Sequence, residues 1–302
     1  MKKWLSAFRL RTLPLSLSTI LMGGAIAHYA IPGSYYKWSV FILAILTTIF
    51  LQILSNLAND YGDFEKGTDN QDRIGPERAM QSGAISKSQM KKGLIAFVVL
   101  SLISGISLLF FAFQEMSITF IIWLLIGFGA IGAAIKYTMG TSAYGYRGLG
   151  DLFVFIFFGL VGVCGTYFVL TQSFNWLVLL PASAMGLLAS AVLNLNNMRD
   201  CENDEKSGKN TLVVKLGIPN AKIYHYLLFV FAYGALAMFI LMALNANIFF
   251  YVALVPFLLI HSIHLSKVAK IVNPKEFDPM LKIVALSTFG LSLVFSILLF
   301  VQ

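Results

Sequence analysis

Charge is the scarcest thing in this sequence. Only 12% of its 302 residues are Asp, Glu, Lys or Arg, while 58% are hydrophobic; soluble domains carry charge at about 25% of positions. That shortage excludes an ordinary water-exposed surface. Cysteine is nearly missing as well. Cys164 lies inside an apolar run and Cys201 in a polar link, so the pair defines no disulfide framework and both read as free thiols in a reducing setting. There is no low-complexity tail, no long linker and no polar stretch large enough for a soluble domain. No Asp, Glu, Lys or Arg falls near the middle of an apolar run. This argues against a secondary transporter, whose ionisable groups sit near the bilayer midplane. No Cys/His set has zinc spacing. His261 and His264 lie three apart without a third ligand, and His28 and His225 read as interfacial.

What the chain has is apolar length. Nine runs, at about 13–31, 38–59, 93–113, 117–135, 151–171, 176–197, 222–243, 247–267 and 282–301, each approach the ~20 residues a helix needs to cross the hydrocarbon core. Lipid offers the backbone no hydrogen-bond partners, so helices are the expected form. The fold class is therefore all-α: a polytopic membrane protein, a bundle of nine transmembrane helices, in one domain over 1–302. Lys2, Lys3 and the small-x-small pattern Ala25-Ile26-Ala27 resemble a cleaved signal peptide. Arg9 and Arg11 interrupt such a peptide, however, and the run from Leu13 to Ile31 is long enough to remain as a first span. Gly127, Gly129 and Gly132 are expected to allow close helix packing. The aromatic run from Phe153 to Phe158 reads as lipid-facing or core.

Charge distribution sets the orientation. Of the 22 Lys and Arg residues, all but Lys37 fall in the N-terminal segment or in links on its side of the nine-span layout. That side is cytoplasmic by the positive-inside rule, with the N-terminus inside and the C-terminus outside. The net charge of +8 is thus a topology signal, and nucleic acid is not an expected partner. All acidic residues except Glu115 share that side.

Most of those acids form two clusters, each directly after an apolar run. The first, in residues 55–83, holds Asp60, Asp63, Glu65, Asp69, Asp72 and Glu77 among Lys66, Arg73 and Arg78. The second, in 194–212, holds Asp200, Glu202, Asp204 and Glu205 among Arg199, Lys206 and Lys209. If the second span stays helical to its end, Asn56 and Asp60 share one helix face, as do Asn59 and Asp63. Asn196, Asp200 and Asp204 follow the same spacing of four. Carboxylates at that density repel one another unless cations lie between them. Hard oxygen ligands suit Mg²⁺, and the interleaved Arg73, Arg78, Arg199 and Lys209 suit a polyphosphate.

These stretches carry a resemblance. NLANDYGDFEKGTDNQDRIGPERAMQSG and NLNNMRDCENDEKSGKNTLVVKLG are similar to the two Asp-rich motifs of the UbiA superfamily of intramembrane prenyltransferases, most of all its 1,4-dihydroxy-2-naphthoate prenyltransferases of menaquinone synthesis. LRTLPLS and YTMGTSAYGYRGLGD resemble that family too. The resemblance implies a bundle that opens laterally to lipid and transfers a polyprenyl group from its diphosphate to 1,4-dihydroxy-2-naphthoate, with loss of CO₂ and pyrophosphate, giving demethylmenaquinone. It implies two Mg²⁺ ions, one held by Asn56, Asp60 and Asp63 and the other by Asp200 and Asp204. Asp60, Asp63, Asp200 and Asp204 would be catalytic through those ions. Arg73, Arg78, Lys136 and Lys209 would bind the diphosphate. Tyr137, Tyr144 and Tyr146 would face the allylic cation, Arg11 or Arg147 would orient the acceptor carboxylate, and Asp151 would take a hydroxyl proton. Two features depart from the superfamily pattern. NxxxDxxxD spacing would place a ligand at Phe64, which Asp63 and Glu65 flank, and Ala79 follows Arg78 where the superfamily has proline. The alternatives are UbiA-type prenylation of another acceptor such as 4-hydroxybenzoate or a tetrapyrrole, a secondary transporter, and a non-catalytic assembly factor. The bilayer is a partner in every case, and the oligomeric state is left open.

Overall fold

The computed structural model describes residues 2–31, 35–71 and 73–302; of the acids in the first cluster, Asp72 lies outside them. Among the described residues there is no strand, and nine helices are long and apolar enough to cross a membrane. A short helix α1 (Lys2–Phe8) and a 3₁₀ turn (Leu10–Thr12) lead into α2 (Leu13–Ala30). There follow α3 (Trp38–Glu65), α4 (Lys87–Phe113), α5 (Ile118–Lys136), α6 (Gly150–Thr171), α7 (Leu179–Lys206), α8 (Leu212–Ala243), α9 (Ile248–Lys270) and α10 (Phe277–Val301).

The expected spans are all present, but two run on through polar sequence. α3 continues to Glu65 rather than stopping near 59, and α7 continues to Lys206 rather than 197. Each therefore carries its Asn-Asp cluster on its own last turns as a rigid extension. α4 begins early, at Lys87, because Ser86 and Gln89 close a capping box: the Gln89 N–H donates to Ser86 Oγ (3.3 Å) and the Ser86 N–H to Gln89 Oε1 (3.2 Å).

Glycines set the closest approaches, though not the expected ones. A Cβ on Gly127, Gly129 or Gly132 would meet nothing within 4 Å, so these do not serve helix packing. At Gly62 a Cβ would lie 2.5 Å from Thr138 Oγ1, and at Gly159 2.6 Å from the Ala182 carbonyl. Gly62 lets α3 press against the turn after α5, where the Thr138 hydroxyl donates to the Ala58 carbonyl (2.9 Å). This contact fixes α3 between Asp60 and Asp63. Within α6, Phe155–Gly165 is π-helical, a wide turn found often beside functional sites.

The three histidines of the later helices are buried, and His225 is not interfacial. Its Nε2 pairs with His264 Nε2 (2.9 Å), while His261 pairs with Tyr233 (2.7 Å) and Ser287 (2.6 Å). These polar contacts tie α9 to α8 and α10, since a buried imidazole needs a partner.

Candidate active site

A cavity of about 1140 Å³ opens among α2 to α7, the N-terminal segment and the start of α10. Most of its wall is apolar, including Leu51, Leu102, Ile106, Leu109, Leu124, Ile131 and Phe158. One end is polar and holds Asn56, Asn59, Asp60, Asp63, Arg73, Arg78, Asn196, Arg199 and Lys209. The shape is a greasy sleeve with a charged head.

The charged head is built from both acidic helix ends. Asp63 is buried, and its Oδ1 accepts from the Tyr146 hydroxyl (2.8 Å). Its Oδ2 faces Arg78 Nη2 (3.3 Å) and Lys209 Nζ (3.6 Å). Lys209 also reaches Asp204 Oδ1 (3.7 Å), so one ammonium joins α3 to the segment after α7. The Asn203 amide completes the junction by donating to the Thr68 carbonyl (2.9 Å). Asp60, also buried, accepts from the Met80 N–H (3.4 Å). Asp200 is gripped by Arg199 through two contacts, at 2.9 and 2.6 Å, and Arg199 reaches on to Asp278 at the start of α10 (2.5 Å).

Sequence reasoning left Asp69 out of the site. It is buried between Arg73 (3.1 Å) and Arg78 (3.2 Å). Burial outweighs the two guanidinium groups and raises its carboxyl to about 6. Burial opposes the charge on Lys209, yet Asp63 and Asp204 overcome it and hold the ammonium above the ordinary lysine range.

Among the described residues, no three His, Cys, Asp or Glu side chains converge tightly enough to hold a metal ion. Cationic side chains stand between the acids instead. The donor set nonetheless fits a hard divalent cation. Asp69 Oδ2 and Asp204 Oδ2 are buried with neither a hydrogen bond nor an ion-pair contact, and carboxylate oxygens are the ligands such an ion takes.

A profile of the UbiA prenyltransferase family matches residues 16–298. The chain belongs to the UbiA prenyltransferase family. It is 44% identical over 98% of its length to 1,4-dihydroxy-2-naphthoate octaprenyltransferase of Haemophilus influenzae, covering 95% of that protein. It is 46% identical over 80% of its length to the Escherichia coli protein of the same name, covering 78% of it. The solved structure of a UbiA homolog from Aeropyrum pernix superimposes with a TM-score of 0.68 at 16% identity, covering 96% of this chain and 98% of that one. A UbiA homolog from Archaeoglobus fulgidus, solved bound to GPP and Mg²⁺, gives 0.64 at 16% identity over 96% and 99%. The fold is thus that of UbiA proteins.

Within this UbiA fold the predicted residues divide. Asp60, Asp63, Arg73, Arg78 and Lys209 gather at the charged head, while Asp200 and Asp204 lie behind Arg199 and Lys209. The choice between Asp63 and Glu65 is geometric: Glu65 points away, pairing with Lys87 (2.6 Å) and Tyr61 (3.0 Å) on the exposed side of α3. Asn56 turns its amide N–H groups to the Phe8 carbonyl (2.9 Å) and the Thr12 hydroxyl (3.0 Å), away from the acids. Lys136 is exposed and lines no part of the cavity. Arg147 is exposed, pairs with Ser142 (3.4 Å), and is not brought to the site. Asp151 is buried against Tyr224 (3.2 Å), outside the cavity. Arg11 does line it.

The aromatic residues regroup. Tyr146 lies behind the wall, bonded to Asp63 and Thr68 (2.6 Å) and covered by Lys66 (3.8 Å). Tyr137 and Tyr144 are in the wall, joined by Phe153 and Phe157, which line the cavity rather than facing lipid or core. They form a ladder: Tyr137 edge-on to Tyr144 (5.3 Å), Tyr144 stacked on Phe153 (3.9 Å), Phe153 stacked on Phe157 (6.2 Å). A run of apolar residues shows no periodicity that would mark a cavity-facing side, so only the fold exposes this wall.

Proposed function

We infer that this protein transfers a polyprenyl group from a polyprenyl diphosphate to 1,4-dihydroxy-2-naphthoate, releasing CO₂ and pyrophosphate and forming the reduced form of demethylmenaquinone. The observation that carries the reading is the joining of two acidic helix ends through Lys209 at the head of an apolar sleeve, in a chain 44% identical over 98% of its length to a 1,4-dihydroxy-2-naphthoate octaprenyltransferase.

The prenyl tail lies along the apolar wall and the diphosphate at the charged head. Asp60, Asp63 and Asp69 would be the donors for one Mg²⁺, and Asp200 and Asp204 for a second. When bound, the metal supplies positive charge to the pyrophosphate leaving group. Arg73, Arg78 and Lys209 hold the diphosphate oxygens. Their charges stabilise the departing pyrophosphate more than the intact ester, because negative charge grows as the C–O bond lengthens. Tyr146 holds Asp63 in place through its hydroxyl. The ladder from Tyr137 to Phe157 offers ring faces to the allylic fragment, stabilising positive charge without capturing it. Burial raises the Tyr137 phenol to about 12, so it stays a neutral ring at working pH. The apolar sleeve keeps water from the cation. The carbon bearing the acceptor's carboxylate forms the new bond, and CO₂ leaves with the aromatic ring restored.

The active site lies on the cytoplasmic side of the cell membrane, with the N-terminus inside and the C-terminus outside, by the distribution of basic residues. Incubating purified protein with Mg²⁺, labelled polyprenyl diphosphate and a panel of aromatic acids tests the reading. It expects a prenylated, decarboxylated product from 1,4-dihydroxy-2-naphthoate, whose formation EDTA abolishes; exclusive prenylation of 4-hydroxybenzoate would refute it.

A further inference from the structure

We propose that Arg9 recognises the carboxylate of the aromatic acceptor, the role that the sequence reading gave to Arg11 or Arg147; this rests on the acceptor class inferred above. Arg9 sits between α1 and the 3₁₀ turn with φ 48° and ψ 54°, a left-handed conformation that a non-glycine residue keeps only where its surroundings over-determine it. Here they do. The Asn56 amide brackets the turn by donating to the Phe8 carbonyl (2.9 Å) and the Thr12 hydroxyl (3.0 Å). Gln52 donates to the same hydroxyl (3.2 Å), and Thr12 donates back to the Arg9 carbonyl (3.0 Å). Three side chains therefore hold one strained residue in place.

What they hold is a cation with no ion pair within 4.0 Å among the described residues, Asp60 facing it only at longer range. Arg73, Arg78, Arg199 and Lys209 each have a carboxylate partner within 4.0 Å. Arg9 has none among the described residues, and its Nη2 is buried without a hydrogen-bond partner. The side chain lines the cavity, within electrostatic reach of Arg78 and Asp60. Beside it in the wall are Leu5, Leu10, Pro14 and Leu15. A planar guanidinium matches a carboxylate through two parallel hydrogen bonds. Next to an apolar strip, it suits a flat aromatic ring carrying one carboxylate. Arg73, Arg78, Arg199 and Lys209 are paired with acids, and Arg11 and Lys282, which line the cavity without an ion pair, are exposed; Arg9 combines an unpaired charge with a buried, unbonded nitrogen, which suits it to the second substrate.

The test is equilibrium binding to purified protein in detergent, without diphosphate, using 1,4-dihydroxy-2-naphthoate and its analogue 1,4-dihydroxynaphthalene, which lacks the carboxylate. Arg9→Gln weakens naphthoate binding about 10- to 100-fold, the range of a hydrogen bond to a charged group, and leaves the analogue's affinity unchanged. The KM for polyprenyl diphosphate stays at its wild-type value. Arg9→Lys, which keeps the charge and loses the fork, falls between, and it carries the test if Arg9→Gln does not fold. Equal naphthoate binding by wild type and variant overturns the proposal. So does an equal loss for both aromatic ligands, which marks a structural role, or a rise confined to the diphosphate KM. Failure of the underlying reading shows differently, as wild-type protein that prenylates no naphthoate. If that protein uses another aromatic acid, the same comparison is made with that acid and its decarboxylated analogue; if its acceptor carries no carboxylate, the role of Arg9 falls with the reading.

Discussion

Replacing Lys209 with methionine tests how the two acidic clusters are held together. The Lys209 ammonium lies 3.6 Å from Asp63 and 3.7 Å from Asp204, and its side chain is 8% exposed. Methionine keeps most of the volume and removes the charge. Asp63 keeps Arg78 and Tyr146, but Asp204 keeps no ion pair among the described residues. Removing one partner of a buried ion pair costs about 3–5 kcal/mol, because the other charge stays buried. The expected result is a lower melting temperature in detergent when EDTA is present. Millimolar Mg²⁺ restores part of the loss, since a divalent ion supplies charge between the same carboxylates, and a ligand that binds only the folded form stabilises it by mass action. Thermal unfolding of wild type and Lys209→Met, each with EDTA and with Mg²⁺, gives the four values required. A variant that melts with the wild type in EDTA, or a deficit that Mg²⁺ leaves untouched, refutes the reasoning.

Four further outcomes follow from the same geometry. Asp63→Asn abolishes prenyl transfer, whereas Glu65→Gln, which removes only a solvent-screened pair with Lys87, leaves turnover at the wild-type rate; loss of activity in Glu65→Gln would contradict the assignment. Lys136→Ala is also neutral in the transfer assay, because the side chain lines no part of the cavity. Gly62→Ala drives a Cβ to within 2.7 Å of the Thr138 backbone carbon and destabilises by about 1–3 kcal/mol, read as a lower melting temperature together with reduced activity. The fourth concerns pH. The Asp69 carboxyl is raised to about 6 by burial, so the folded protein holds this proton more tightly than the unfolded chain. Its contribution to stability is therefore present at low pH and lost as pH rises through 6. Mg²⁺ affinity moves the opposite way, strengthening as pH passes 6, and Asp69→Asn removes that component from the pH profile of Mg²⁺ binding.

The spans were legible because lipid imposes a length and an apolar composition on each of them. The acid clusters were legible because almost nothing else in the chain is charged. Facing was not. Asp63 and Glu65 are two residues apart and so leave opposite sides of α3; which side faces inward depends on the packing of α3, where Gly62 lies against Thr138 and Glu65 is left to Lys87. Asp151 follows a conspicuous Tyr-Gly-rich segment, yet the start of α6 directs it to Tyr224 rather than to the cavity. Phe153 and Phe157 sit in a stretch where every residue is apolar, so no period separated the cavity side from the lipid side. Arg9 looked like a flank of the first span; its left-handed turn depends on Asn56, more than forty positions away.

The central claim is that the two acidic helix ends hold a diphosphate through divalent metal. Anomalous diffraction from crystals grown with Mn²⁺ and a non-hydrolysable prenyl thiolodiphosphate tests it most directly. The account predicts metal peaks bonded to Asp60 or Asp63 on one side and to Asp200 or Asp204 on the other, with the diphosphate between them and Lys209 drawn onto its oxygens. A diphosphate bound by the arginines alone, with no metal on either acidic helix end, would contradict it.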